Sequence, residues 1–179
     1  MTMTLVWLRR LCLVPMALAV LVLLSSTARA VDMSLSGSLS GTSATFNRVS
    51  DRSDVSAYLD SANNGLPYVV FEIRTNATSG GTLTATVGSS TQFDSFLALY
   101  SSFNPASPQA NLLVADDDGG TYPHARLVKA GLAANTSYFL VLTSYSNNAN
   151  SVYPLYGNYA LTLTTGAVDL TPILMLLLD

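Results

Sequence analysis

Residues 93–100, FDSFLALY, decide the fold of this chain. Successive side chains of an extended strand point to opposite faces. Both faces are apolar here, with Phe93, Leu97 and Leu99 on one side and Phe96, Ala98 and Tyr100 on the other. A strand with two apolar faces must be covered on both, so the pattern predicts a central strand of a sheet.

Short runs of the same kind surround this stretch. They are rich in Val, Leu, Thr, Tyr and Phe and are bounded by Gly, Pro, Asn or Asp, which is typical of strands separated by turns. They cover residues 67–75, 82–87, 111–115, 125–129, 137–145 and 158–165, with a weaker run at 42–49. No long stretch has helical apolar spacing. The sequence therefore predicts an all-β domain of about eight strands in two packed antiparallel sheets.

Two of these runs predict which side chains face the core. In residues 67–75 the alternation places Val69, Phe71 and Ile73 on one face, and in residues 82–87 it places Leu83, Ala85 and Val87 opposite three threonines. We expect the first face of each strand to be buried.

Residues 1–30 have the pattern of an export signal peptide. Arg9 and Arg10 precede an apolar run at 11–24, and Ala28-Arg29-Ala30 supplies small residues for cleavage after Ala30. An uncleaved anchor is the alternative, although the run is shorter than the roughly 20 residues that span a bilayer. Cleavage would remove the only Cys and the only Trp and leave an acidic chain with 5 basic and 11 acidic residues. Such a charge excludes a basic nucleic-acid binder, and no disulfide could form.

The remaining chain divides into three parts. Residues 31–65 form an N-terminal region in which the Ser-Gly-rich stretch 34–43 is either an edge strand or a linker. Residues 66–165 form the predicted sandwich core. Residues 166–179 form a tail with six consecutive apolar residues at 173–178. This tail is either the last strand of its own sandwich or a docking segment that pairs with another protein.

The densest charge cluster is Asp116-Asp117-Asp118, followed by two glycines, and Asp94 stands near the head of the central strand. Adjacent carboxylates repel one another unless a cation or ordered donors offset their field. Hard oxygen ligands on such a turn suit calcium, so these four residues are the candidate metal ligands. The alternative is a solvated turn in which the Asp side chains cap backbone N–H groups.

The nine tyrosines are a second feature. Several lie near the Asn-rich stretch 147–158, and Tyr145, Tyr153 and Tyr156 are the candidate ligand-binding residues. A Tyr ring covers the apolar face of a sugar or peptide while its hydroxyl stays in water. The alternative is structural, because Tyr has a high strand propensity.

The sequence offers few groups for catalysis. His124 is the single imidazole, and its turn-like surroundings beside Pro123 predict a surface residue. Glu72 would have to pair with an Asp to perform glycoside chemistry, which the sequence does not show. We therefore expect a protein that is not an enzyme.

A family resemblance follows from the order of six elements. They are Phe71-Glu72-Ile73, FDSFLALY at 93–100, DDDGG at 116–120, Ala125-Arg126-Leu127, TSYFLVL at 136–142 and Gly157-Asn158-Tyr159. This order resembles the bacterial pre-peptidase C-terminal domain over residues 66–165. The resemblance implies a jelly-roll-like β-sandwich that is attached to secreted hydrolases or surface proteins and is not itself catalytic. It also implies that calcium or an extracellular polymer can be bound. The chain departs from the family in having no peptidase ahead of the domain.

Together these observations predict an exported, non-catalytic binding or interaction module, secreted or in the cell envelope or periplasm, with calcium as its candidate ion. Its expected partners are an extracellular polymer or an envelope protein, without nucleic acid and without a transmembrane span after cleavage. Two further functions are compatible with the sequence: a structural subunit that assembles through its apolar tail, and an accessory protein of a secreted hydrolase.

Overall fold

A computed structural model describes residues 31–50, 64–75, 81–146, 152–166 and 171–172. In these ranges every regular element is a β-strand, and no helix is long and apolar enough to cross a membrane. The strands are β1 (Val31–Ser38), β2 (Thr45–Phe46), β3 (Leu66–Arg74), β4 (Gly81–Val87), β5 (Ser95–Tyr100), β6 (Leu112–Asp116), β7 (Arg126–Leu132), β8 (Ser137–Ser144), β9 (Asn158–Gly166) and β10 (Thr171–Pro172).

The strands form two antiparallel sheets. One has the order β1-β9-β4-β7, and the other has the order β10-β3-β8-β5-β6, with β2 also paired to β3. If the two-residue strands β2 and β10 are set aside, eight strands remain, four in each sheet, in the order of a jelly roll. The predicted all-β sandwich of about eight strands is confirmed.

Strand β5 is the central strand that its apolar pattern predicts. It lies between β8 and β6, and all six of its residues are buried. Leu97 and Leu99 join the core between the two sheets. Phe96 and its neighbours on the opposite face join a second core on the outside of the larger sheet, where Phe46 and Val49 cover them. The strand begins at Ser95, two residues later than the run at 93–100 suggests.

The predicted core faces of β3 and β4 are also confirmed. Phe71 and Ile73 are buried between the sheets and Val69 is partly buried against them. Leu83, Ala85 and Val87 are buried, while the three threonines between them are half-exposed.

In the amino-terminal region, the structure decides between the edge strand and the linker and shortens one predicted strand. The Ser-Gly-rich stretch contributes to an edge strand, β1, which pairs with β9 over eight residues. The weak strand at 42–49 is shorter than the sequence suggests, because β2 has two residues and the chain then bends to cover the outer face of the larger sheet. Strand β7 continues past residue 129 to Leu132 through Gly131, whose φ of 73° suits glycine.

Two of the predicted segments, the export signal and the tail, lie wholly or partly outside the described residues. Residues 1–30 are outside, so signal-peptide cleavage remains a prediction. Of the tail, Thr171 and Pro172 pair with Arg74 and Ile73 of β3. Residues 173–179 are outside, so the choice between a last strand and a docking segment stays open.

Candidate functional site

The strand registers bring four loops together at one end of the sandwich. Ser95 at the start of β5 lies opposite Ser144 at the end of β8. The end of β6, at Asp116, lies opposite Leu97 of the same strand β5. In the other sheet the end of β1 and the start of β9 meet at the pair Ser38 and Asn158. We call this the loop end, and it comprises residues 39–44, 88–94, 117–125, 145–146 and 152–157.

All the candidate residues from the sequence lie in or beside the loop end. Asp94 precedes β5, Asp116 ends β6, and Asp117 and Asp118 follow it. The candidate tyrosines are on the connection from β8 to β9, at positions 145, 153 and 156. The described loops of the opposite end, at 101–111 and 133–136, contain none of them.

Asp116 stabilises the turn at residues 116–120, which we call the acidic turn. Its Oδ1 accepts the backbone N–H of Gly119 at 2.9 Å and that of Arg126 at 2.7 Å. The turn is tight, because a Cβ added at Gly119 would lie 2.7 Å from both that carboxylate oxygen and the Arg126 carbonyl oxygen. Asp117 acts similarly, since its Oδ1 accepts the N–H of Asp118 at 2.8 Å. These contacts favour the capped-turn interpretation for Asp116.

Asp94 is in a different environment from Asp116. Its Oδ1 is buried and has no hydrogen-bond partner among the described residues. The pKa of this carboxyl is raised to about 6, first by burial and then by the charges of Asp118 and Asp117, while the charge of Arg48 lowers it. Asp94, Asp117 and Asp118 therefore share one electrostatic field, and their repulsion would be relieved by a proton or a cation.

Arg48 is a buried cation that the sequence did not single out. It is 1% exposed, and its guanidinium lies between the rings of Phe96 and Tyr145. The Cζ atom is 4.5 Å from the centroid of the Phe96 ring and 4.6 Å from that of the Tyr145 ring. Its Nε donates to the Tyr145 carbonyl and its Nη1 donates to the Val49 carbonyl, both at 2.7 Å. Arg48 thus ties the chain after β2 to the end of β8. The apolar outer face of β5 was the only available hint, since it required a cover.

The three candidate tyrosines differ in exposure. Tyr145 is half-buried and has the Arg48 guanidinium against its ring, and its N–H donates to the Asp94 carbonyl at 2.9 Å. Tyr153 is half-buried. Tyr156 is 44% exposed and lies beside Gly41. Among these three, Tyr156 offers the most surface to a ligand, whereas Tyr145 helps to build the loop end.

Two exposed apolar residues of the loop end were missed by the sequence reasoning. Tyr122, on the connection from β6 to β7, is 71% exposed, and Val152 is 94% exposed. Both lie on connections between strands, where no alternation of apolar and polar residues indicates which side chains are buried. Their exposure adds aromatic and aliphatic surface to the end that carries the acidic turn.

The expectation that His124 is a surface residue is wrong. Only 6% of it is exposed, its Nδ1 is buried without a hydrogen-bond partner among the described residues, and burial lowers its pKa. The cause is the return of the loop onto β5, where the Ser95 N–H donates to the Pro123 carbonyl at 3.2 Å. Gly120 also donates to the His124 carbonyl, at 3.0 Å.

Glu72 lies away from the acidic turn. It pairs with Phe139 in β8, six residues from Tyr145 at the loop end, which corresponds to about 20 Å along the sheet. Glycoside hydrolysis needs two carboxyl groups within roughly 5–9.5 Å, so Glu72 does not form such a pair with Asp94 or the acidic turn.

The donor atoms of the predicted site suit a metal ion, but their arrangement in the structure does not. Asp94 supplies an unpartnered buried oxygen, and carboxylate oxygens suit calcium. Within the part of the chain that the structure describes, however, no group of three or more His, Cys, Asp or Glu residues is arranged to hold a metal ion. Calcium at Asp94, Asp116, Asp117 and Asp118 thus remains a prediction, and the hydrogen bonds of Asp116 within the turn favour the other three as ligands.

Comparisons with known proteins identify no family. No family model and no curated protein matches the chain. Among solved structures, one similar chain is the Aeromonas hydrophila protein PliG, a periplasmic inhibitor of g-type lysozyme. The two share 14% identity with a TM-score of 0.43, over 78% of this chain and 88% of the other. A likeness at this level supports no functional argument, and the resemblance to pre-peptidase C-terminal domains remains a prediction.

Proposed function

We propose that this protein is an exported, non-catalytic jelly-roll module that binds an extracellular polymer through its loop end. The observation that carries the proposal is the meeting of exposed Tyr122, Tyr156 and Val152 with the acidic turn at one end of the sandwich. Flat rings beside small polar side chains provide both the apolar contact and the hydrogen bonds that polymer recognition needs.

The rigidity of the loop end supports this role. Arg48 fixes Tyr145, Asp116 fixes the acidic turn, and the Ser95 N–H holds the Pro123 carbonyl. A surface that is already ordered loses less conformational entropy when it binds. Enzymatic function has less support, since His124 is buried and Glu72 lies far from the other candidate carboxylates.

An envelope protein is the second candidate partner. Val152 favours it, because a fully exposed aliphatic side chain adds surface that another protein can bury. The predicted export segment at residues 1–30 supports either partner, since both are located at or outside the envelope. A structural role in assembly would depend on the apolar residues 173–178, and assistance to a secreted hydrolase would depend on a second protein.

Calcium is part of the proposal as a stabiliser of the loop end. Asp94, Asp117 and Asp118 would hold the ion, and Asp116 would keep its role in the turn. The expected result is a rise in melting temperature on adding calcium and its reversal by a chelator, since a ligand at 100 times its dissociation constant adds about 2.7 kcal/mol. An unchanged melting temperature would remove calcium from the proposal and leave the binding surface untouched.

A retention assay with matched variants tests the binding surface. Purified protein is incubated with insoluble envelope polysaccharides and, separately, with immobilised envelope proteins. Tyr122→Ser and Tyr156→Ser should each weaken retention at least about tenfold, which is the loss expected of an exposed aromatic contact worth ~1.4 kcal/mol. Val128→Ser is the control, because Val128 is 43% exposed but lies in the middle of β7, away from the loop end. Equal losses in all three variants, or no loss in the Tyr variants, would contradict the proposal.

A further inference from the structure

Among the described residues, no strand pairs with the outer edge of β1. In the described residues β1 pairs with β9 alone. The Leu39 N–H donates to the Gly157 carbonyl at 2.9 Å, which shows that odd-numbered residues of β1 bond to β9. The even-numbered residues therefore direct their backbone N–H and C=O groups away from the sheet. They are Asp32, Ser34, Ser36 and Ser38.

The other exposed edges carry features that discourage pairing, and β1 does not. Strand β6 is five residues long, with an irregular register. Strand β7 carries Lys129, a register shift and a glycine at φ 73°. Natural sheets use such short strands, lysines and bulges to prevent edge-to-edge association. Strand β1 has eight residues in unbroken register, without Lys or Pro, and Asp32 is its single charge.

Apolar surface lies along the same edge. Met33 and Leu35 pack against the core between the sheets but are only partly buried. At Gly37 the space over the backbone is filled by the ring of Tyr159, since an added Cβ would contact the Tyr159 hydroxyl. The core is therefore incompletely covered beside Met33 and Leu35, where one more strand would complete it.

We propose that the occupant of this edge is a second copy of the chain, paired antiparallel through β1. The two-fold axis would pass beside Ser34, so that Ser34 faces Ser34 of the second copy. Met33 of each copy then faces Leu35 of the other, and both half-exposed pairs become buried. The pairing joins even-numbered residues with even-numbered residues, as the outward hydrogen-bonding groups require.

The charges along β1 do not oppose this register. In the proposed register Asp32 faces Ser36 of the second copy, so the two carboxylates are not opposite each other. The edge therefore meets an identical edge without like charges in contact. The result is an isologous dimer whose two four-stranded sheets form one continuous sheet of eight. This edge is distinct from the loop end, so a test that refutes the dimer leaves the proposed binding function unaffected, and the reverse also holds.

Proline substitution tests the pairing. The full chain, expressed with its own amino-terminal segment and purified after export, is measured by light scattering over concentrations up to ~1 mM, because a short edge buries less than a standard interface of about 1,600 Å². Ser34→Pro removes an outward N–H and leaves the bonds to β9 intact. We expect it to raise the dimer dissociation constant at least tenfold. Ser38→Pro is the matched control, because residue 38 lies beyond the paired residues 31–37 and should dimerise like the unmodified chain.

Single cysteines test the register. Ser34→Cys should form a disulfide-linked dimer under mild oxidation, since facing Cα atoms in a ladder lie within bridging distance. Ser38→Cys should not, because its two copies would be about 26 Å apart along the ladder. A monomer at every concentration would overturn the proposal. A dimer that survives Ser34→Pro, or equal cross-linking of both cysteine variants, would overturn it as well.

Discussion

Replacing Asp94 with Asn should stabilise the protein at pH 7.5 when calcium is absent. The pKa of Asp94 is raised from 3.8 to about 6, first by burial and then by Asp118 and Asp117. A rise in pKa of this size corresponds to roughly 3 kcal/mol for a fully shielded carboxyl. Asp94 is only half-buried, so solvent screening reduces this to ~1 kcal/mol. Asparagine keeps the shape of the side chain and carries no charge to repel its neighbours.

The sign of the pH dependence follows from the raised pKa. Between the unfolded and folded pKa values the native state binds more protons than the unfolded state. The contribution of Asp94 is therefore fully present below pH 3.8 and is lost as the pH rises through about 6. Asp94→Asn should match the unmodified protein near pH 4 and exceed it in stability at pH 7.5.

Urea denaturation at several pH values, with a chelator present, measures this difference. Asp32→Asn serves as the control, because Asp32 is exposed on β1 and its replacement should change the stability little. Added calcium should reverse the order if Asp94 is a ligand. If Asp94→Asn is no more stable than the unmodified protein at pH 7.5 in chelator, the reasoning about this carboxyl is refuted.

Three further substitutions test the packing. Leu97→Ala, in the fully buried central strand, should cost about 2–5 kcal/mol in chemical denaturation, and a loss under ~1 kcal/mol would contradict its central position. Gly37→Ala should cost ~1–3 kcal/mol, because the new methyl group meets the buried Tyr159 ring, and an unchanged denaturation midpoint would show that the ring can move freely. Arg48→Ala should lower the free energy of unfolding by about 2–4 kcal/mol, because the carbonyl oxygens of Val49 and Tyr145 lose the Arg48 donor. It should also speed amide exchange at the end of β8. An unchanged exchange rate there would contradict the role of Arg48 in holding the end of β8.

The sheet pattern was predictable because burial follows local alternation. The period-two pattern in β3 and β4 identified the buried residues, and two apolar faces identified β5 as central. The exact ends of the strands were harder to predict from the sequence. Phe93 continues the apolar strand pattern, yet Phe93 and Asp94 both precede β5. The reason is that the Asp94 carbonyl accepts the Tyr145 N–H and the Ser95 N–H donates to the Pro123 carbonyl in the loop before β7.

The candidate site was only partly predictable because it depends on the topology. Asp94 and Asp117 are 23 positions apart in sequence, and the pairing of β5 with β6 brings them into one electrostatic field. The burial of His124 and Arg48 arises from irregular segments that fold back on the sheet, and local composition does not report such contacts. The exposure of Tyr122 is equally a property of its loop.

Amide chemical-shift mapping tests most directly whether the loop end is the binding surface. The protein is titrated with soluble fragments of whichever polymer or envelope protein it retains. The account predicts shifts concentrated at residues 88–94, 117–125 and 152–157, with little change at 101–111 and 133–136 at the opposite end. Shifts concentrated at that opposite end, or on the flat faces of the sheets, would contradict it.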